Sequence, residues 1–98
     1  MAEEKLESIE REMSTTLKVF SQDLHNAFSE RASGGPLSFV VNHGAAAMNI
    51  LLTPMPDREI ALIRLPTLHI RIDFTAGSIV ERKEMLKRMD FYMQRGGG

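Results

Sequence analysis

From Thr67 to Thr75 the residues alternate without interruption: Leu68, Ile70, Ile72 and Phe74 are apolar, while Thr67, His69, Arg71, Asp73 and Thr75 between them are polar or charged. Period two is the side-chain period of a β-strand, so this stretch has one buried face and one wet face. A strand of that kind needs partners in a sheet and a second layer over its apolar side. The rest of the chain must supply both.

The segment after it reads as one piece of that layer. Gly77 and Ser78 open a helix, and Ser78 with Glu81 three positions on forms a capping box, each side chain able to satisfy the other's backbone N–H. Ile79, Leu86, Met89 and Met93 form the buried stripe of this C-terminal helix, flanked by Val80, Met85 and Tyr92. Glycines from Gly96 onward stop it.

At the other end, Leu6, Ile9, Met13, Leu17, Phe20, Leu24 and Phe28 recur in steps of three and four. This spacing predicts one long helix from about Glu3 to Ser29, with a weak patch at Ser14, Thr15 and Thr16 where it kinks or frays. Glu7 lies four before Arg11, the favourable order for an ion pair on such a helix. At 1.5 Å per residue the rod would be about 39 Å long. A domain of this size has a radius of gyration of only about 13 Å. Leu6, Ile9 and Met13 would then overhang the chain's own sheet, a first reason to expect a dimer.

Between the helices, Arg31–Pro36 reads as a loop, Leu37–Val41 as a strand, Asn42–Gly44 as a turn and Ala46–Thr53 as a second strand. Pro54, Met55, Pro56 and Asp57 are expected to break it, with Met55 presented outward as a possible anchor for a partner. Arg58–Leu65 reads as a third strand, and Leu65-Pro66-Thr67 as a hairpin in preference to a bend in one strand. The expectation is a single α+β domain over residues 1–98. It has a long N-terminal helix, a three- or four-stranded mostly antiparallel sheet and a C-terminal helix packed on one face, with residues 1–5 and 95–98 frayed.

Composition narrows what such a domain does. The chain has no cysteine, which removes disulfides, thiolate nucleophiles and cysteine-ligated zinc. No apolar run approaches the roughly 18 residues of a membrane span, and the acidic, periodic first residues are unlike a signal peptide. A cytoplasmic protein with no membrane role is expected. The net charge of −1 hides a gradient, acidic over the first thirty residues and basic over the last thirty-eight.

Three sets of residues invite a functional reading. His69, Arg71 and Asp73 share the wet face of their strand, where an imidazole, a guanidinium and a carboxylate could bind a small ligand or an anion. A solvated sheet face demands polar residues there in any case. Lys83, Lys87 and Arg88 on the C-terminal helix could meet phosphates, although Glu81, Glu84 and Asp90 are interleaved with them and nucleic acid is the least favoured partner. Leu6, Ile9, Met13 and Met55 are the candidate interface. His25, His43 and His69 lie on separate elements without ligand spacing, so neither a metal nor another cofactor is expected. No nucleotide-binding, zinc-protease or nucleophile-elbow motif is present. The favoured reading is a non-catalytic interaction or accessory module acting as a homodimer or on another protein. Its alternatives are a small-ligand binder or enzyme using His69, Arg71 and Asp73, and a nucleic-acid binder using the last helix.

Overall fold

The computed structural model describes residues 6–97, with side chains to Met93. The expected fraying at residues 1–5 and at Gly98 falls outside them, while the C-terminal helix runs on through Gly97, past the stop that the sequence suggests at Gly96. The chain is α+β: strand β1 (Ser8–Met13), helix α1 (Leu17–Phe28), a turn of 3-10 helix (Ser29–Arg31), strands β2 (Ala32–Gly34), β3 (Ser38–His43), β4 (Ala46–Ile60) and β5 (Ile63–Ala76), and helix α2 (Ile79–Gly97). The five strands form one antiparallel sheet in the order β1-β5-β4-β3-β2. Both helices lie on one side of it, and among the described residues the other side carries no layer.

The alternation that opened the sequence reading is the centre of this architecture. Leu68, Ile70, Ile72 and Phe74 of β5 are buried beside Met48, Ile50 and Leu52 of β4 and Phe39 and Val41 of β3. Phe20, Leu24, Ala27 and Phe28 of α1 and Met85, Met89 and Met93 of α2 close over them in one core. The capping box forms as expected. Ser78 N–H donates to Glu81 Oε1 at 2.7 Å, and Glu81 N–H donates to Ser78 Oγ at 3.2 Å.

These bonds hold the Glu81 carboxyl below its ordinary value, the Ser78 backbone N–H contributing most. A lowered folded pKa gives a contribution that is whole above about pH 4.5 and fades as the pH falls through the folded value. Ser78→Ala removes the cap on the Glu81 N–H and is expected to cost about 1 kcal/mol of stability at neutral pH, measured by urea denaturation.

The N-terminal segment corrects the sequence reading. No 26-residue rod exists: residues 8–13 are a strand paired with β5, Ser8 opposite Asp73 and Met13 opposite Leu68. Ile9 and Met13 are four apart, a separation that is one helical turn and also an even number, so it satisfies a strand equally well. Ile9, Arg11 and Met13 are half-buried on the helix side, while Ser8, Glu10 and Glu12 are exposed on the other. The weak Ser-Thr-Thr patch is where the helix begins. Thr16 is the N-cap of α1 and its Oγ1 accepts from the Val19 N–H at 3.1 Å. With Arg11 on a strand its partner is not Glu7 but Asp90 of α2, at 2.7 Å. β1 and β2 bring the sheet to five strands; the sequence suggested three or four.

The second correction is the β4–β5 hairpin. β4 runs through both prolines to Ile60, and the turn is Ala61-Leu62, with Ile60 opposite Ile63. Leu65-Pro66-Thr67 therefore lies inside one long strand. A two-residue loop favours positive φ at its first position, and Ala61 takes φ 54° without being glycine. The prolines are tolerated for a geometric reason. Leu52 N–H donates to the Leu37 carbonyl just before β3, and Phe74 N–H donates to the Glu7 carbonyl just before β1. Residues two apart face the same way, so the missing N–H groups of Pro54 and Pro66 point to the outer edges, past the ends of β3 and β1. Pro56 sits in the register shift between Met55 and Arg58.

Candidate functional site

The bare face of the sheet brings together residues from four strands. Across it run Ser8, Asp73, Asn49 and Val40 in one row, Glu10, Arg71, Leu51 and Ser38 in the next, and Glu12, His69 and Thr53 in a third. His69, Arg71 and Asp73 share this face, as the alternation required.

Their polar groups are matched to neighbours. His69 Nε2 lies 2.9 Å from Glu10 Oε1. Arg71 Nε donates to both carboxylate oxygens of Asp73, at 3.0 and 3.3 Å. Ser8 Oγ donates to the same carboxylate. The Arg71 guanidinium and then the Ser8 hydroxyl hold the Asp73 carboxyl below its usual range. The hydrogen bond from Arg71 to Asp73, reinforced by the charge on that carboxylate, raises Arg71 in turn. Asp73 therefore does not steer His69 as a base, because its oxygens are taken up by Arg71 and Ser8. What the arrangement does is tie β1 to β5 through paired, solvent-facing groups.

Ser8, Glu10 and Glu12 were the residues missing from the sequence reading. Their i, i+2 spacing was the available signal, hidden while the segment read as helix.

Along the same face the hairpin extends beyond the helices. Leu52 and Thr67 are the last buried residues of β4 and β5 on the way to the turn. From Thr67 towards the turn, Met55, Arg58 and Ile60 of β4 pair with Thr67, Leu65 and Ile63 of β5 on one face. Ile60 and Ile63 are more than half exposed, Met55 is 38% exposed, and Leu62 at the tip is fully so. Glu59 and Arg64 pair at 3.0 Å on the opposite face. Arg58 reaches back to Glu12 of β1 at 3.6 Å. Met55 is thus presented outward, from a strand where the sequence suggested a loop.

The remaining candidates are dispersed. Leu6, Ile9 and Met13 are half-buried against the chain's own core, so the overhanging seam that argued for a dimer is absent. Arg88 donates from Nε to the Ala27 carbonyl near the end of α1, and its guanidinium lies 5.4 Å from the Tyr92 ring centroid. Lys87 and Lys83 are exposed on the same helix. Arg88 therefore serves to bind α2 to α1, and the basic trio is not a uniform phosphate-facing surface.

His25 Nδ1 meets the Ser21 carbonyl at 2.8 Å, and His43 Nδ1 meets Arg31 at 3.1 Å. The three histidines thus have three separate settings. Among the described residues no three histidine or acidic side chains gather around a common point. Nor is any helix among them long and apolar enough to cross a membrane. No protein-family model matches the sequence, and no curated protein is similar to it.

Proposed function

We propose that the chain is a non-catalytic protein-interaction module, and that it binds through the sheet face its helices leave bare, with the β4–β5 hairpin as the projecting part. One observation carries this reading. The hairpin leaves the two-layered body and holds Met55, Ile60, Leu62 and Ile63 together in water.

Single apolar residues on a surface need no explanation, whereas a contiguous group of them marks a contact site. An isolated two-stranded hairpin is at best marginally stable, so a projecting one gains most when something packs on it. The enzyme reading lacks comparable support, because the ionic groups of the face are engaged with one another.

A photo-reactive phenylalanine analogue placed at position 62 in the intact chain, irradiated in living cells, tests this. A discrete protein adduct is expected. Labelling that yields only the uncoupled chain would remove the proposal.

A further inference from the structure

Independently of the interaction reading, we infer that the helix layer holds a binding site for a small hydrophobic monocarboxylate, its acid on Arg31 and Arg88 and its apolar body on Phe91 and Tyr92. The site lies on the side of the sheet opposite the bare face. Two hollows meet there. One, of about 410 Å³, lies where α1 ends against α2, with Arg31, Arg88 and Glu30 in its walls. The other, of about 390 Å³, runs along α2 beside Glu84, Lys87, Phe91 and Tyr92. Arg88 lines both, so they adjoin along its side chain. Each falls in the lower part of the roughly 300–1,000 Å³ range of small-molecule sites.

The two guanidiniums are held before any ligand arrives. Arg88 donates from Nε to the Ala27 carbonyl and lies 5.4 Å from the Tyr92 ring centroid. The edge left to an acid is the fork of its two terminal nitrogens, which matches the two oxygens of a carboxylate. Arg31 is steadied from another side, its Nη1 3.1 Å from His43 Nδ1. Groups already fixed by the chain lose little freedom on binding, so more of the contact energy appears as affinity.

Charge selects the kind of anion. Arg31, Lys87 and Arg88 stand against Glu30 and Glu84 in these walls, a surplus of one positive charge. The single negative charge of a carboxylate meets that surplus. A phosphate monoester carries about −1.5 to −2 at neutral pH, more than the walls balance.

The apolar half of the site accounts for Phe91. This ring is 68% exposed on α2, outside the core. It meets Tyr92 edge to face with 5.5 Å between centroids, so the two rings form one wall. A ligand body laid on that wall takes apolar area out of water on both partners.

Titration of the isotopically labelled full chain, followed by two-dimensional NMR, tests the inference with phenylacetate and octanoate as probes. Saturable shifts at Arg31, Arg88, Phe91 and Tyr92 are expected with either probe, and the tighter one identifies the body as aromatic or aliphatic. Acetate, which lacks the body, and phenethyl alcohol, which lacks the charge, are each expected to bind at least about tenfold more weakly. Arg88→Gln is expected to weaken binding about tenfold and Phe91→Ala about threefold. Arg64→Gln, which removes a cation from the β4–β5 hairpin, is expected to leave it unchanged. If Arg88→Gln alters the circular dichroism spectrum, Arg31→Gln, at an exposed position, serves in its place.

No saturable shift from either acid at millimolar concentration overturns the inference. So does inorganic phosphate binding as tightly as the acids, or binding that both site variants leave unchanged.

Discussion

Phe20→Ala is expected to remove about 3–5 kcal/mol of folding stability, a large share of the total of about 5–15 kcal/mol that a domain has. Phe20 is fully buried, and its ring centroid lies 6.0 Å from that of Phe39 on β3. It is one of the side chains through which α1 reaches the sheet. Truncation removes the transfer energy of a whole ring and opens a cavity between two rigid layers that relax only in part. The neighbouring residue supplies the control. Val19 is 41% exposed on the same helix, so Val19→Ala should change stability by no more than about 0.5 kcal/mol.

Urea denaturation of both variants at one protein concentration measures the difference. A loss below about 1 kcal/mol for Phe20→Ala would mean that the helix layer is not seated on the sheet as described.

What could be read in the residues, and what could not, follows from how far each determinant reaches along the chain. The α2 start is written within four residues, Ser78 to Glu81, and the core strand within nine, Thr67 to Thr75. Both are local, and both stand in the structure. The His69-Arg71-Asp73 face followed from the same alternation. Its partners did not, because Ser8 and Glu10 come to it through a pairing more than fifty residues distant in sequence. Period alone could not separate strand from helix at Ile9 and Met13, where four residues fit both.

The hairpin was misplaced for a different reason. Prolines usually punctuate, but here they lie on strand edges where no N–H is wanted. The turn itself falls on Ala61-Leu62, which carries no glycine or proline to announce it. The exposure of Ile60 and Ile63 is a tertiary property: those residues look like core until the layer above them is seen to end.

Gly77→Ala is expected to cost about 2–6 kcal/mol, and the reason is invisible in the sequence, where Gly77 reads only as the opening of a helix. Two penalties combine. The backbone there takes φ +101°, which an L side chain rarely adopts and which costs about 1–3 kcal/mol. A Cβ built on Gly77 would also fall 2.8 Å from both Cα and Cβ of Ala46, at the start of β4. That obstacle is backbone and a one-carbon side chain, so it cannot swing aside, and overpacking of this kind costs about 1–3 kcal/mol more.

Gly44→Ala separates the two terms. Gly44 has φ +61° with open space around its would-be Cβ, so only the conformational penalty, about 1–2 kcal/mol, applies. Thermal or urea unfolding of the two variants side by side should therefore show the larger loss at Gly77. Equal losses would mean that the junction between β5 and α2 does not press against the start of β4. That junction fixes where α2 begins. From there Met85, Met89 and Met93 reach the core, and the hairpin is left as the part of the sheet that α2 does not cover.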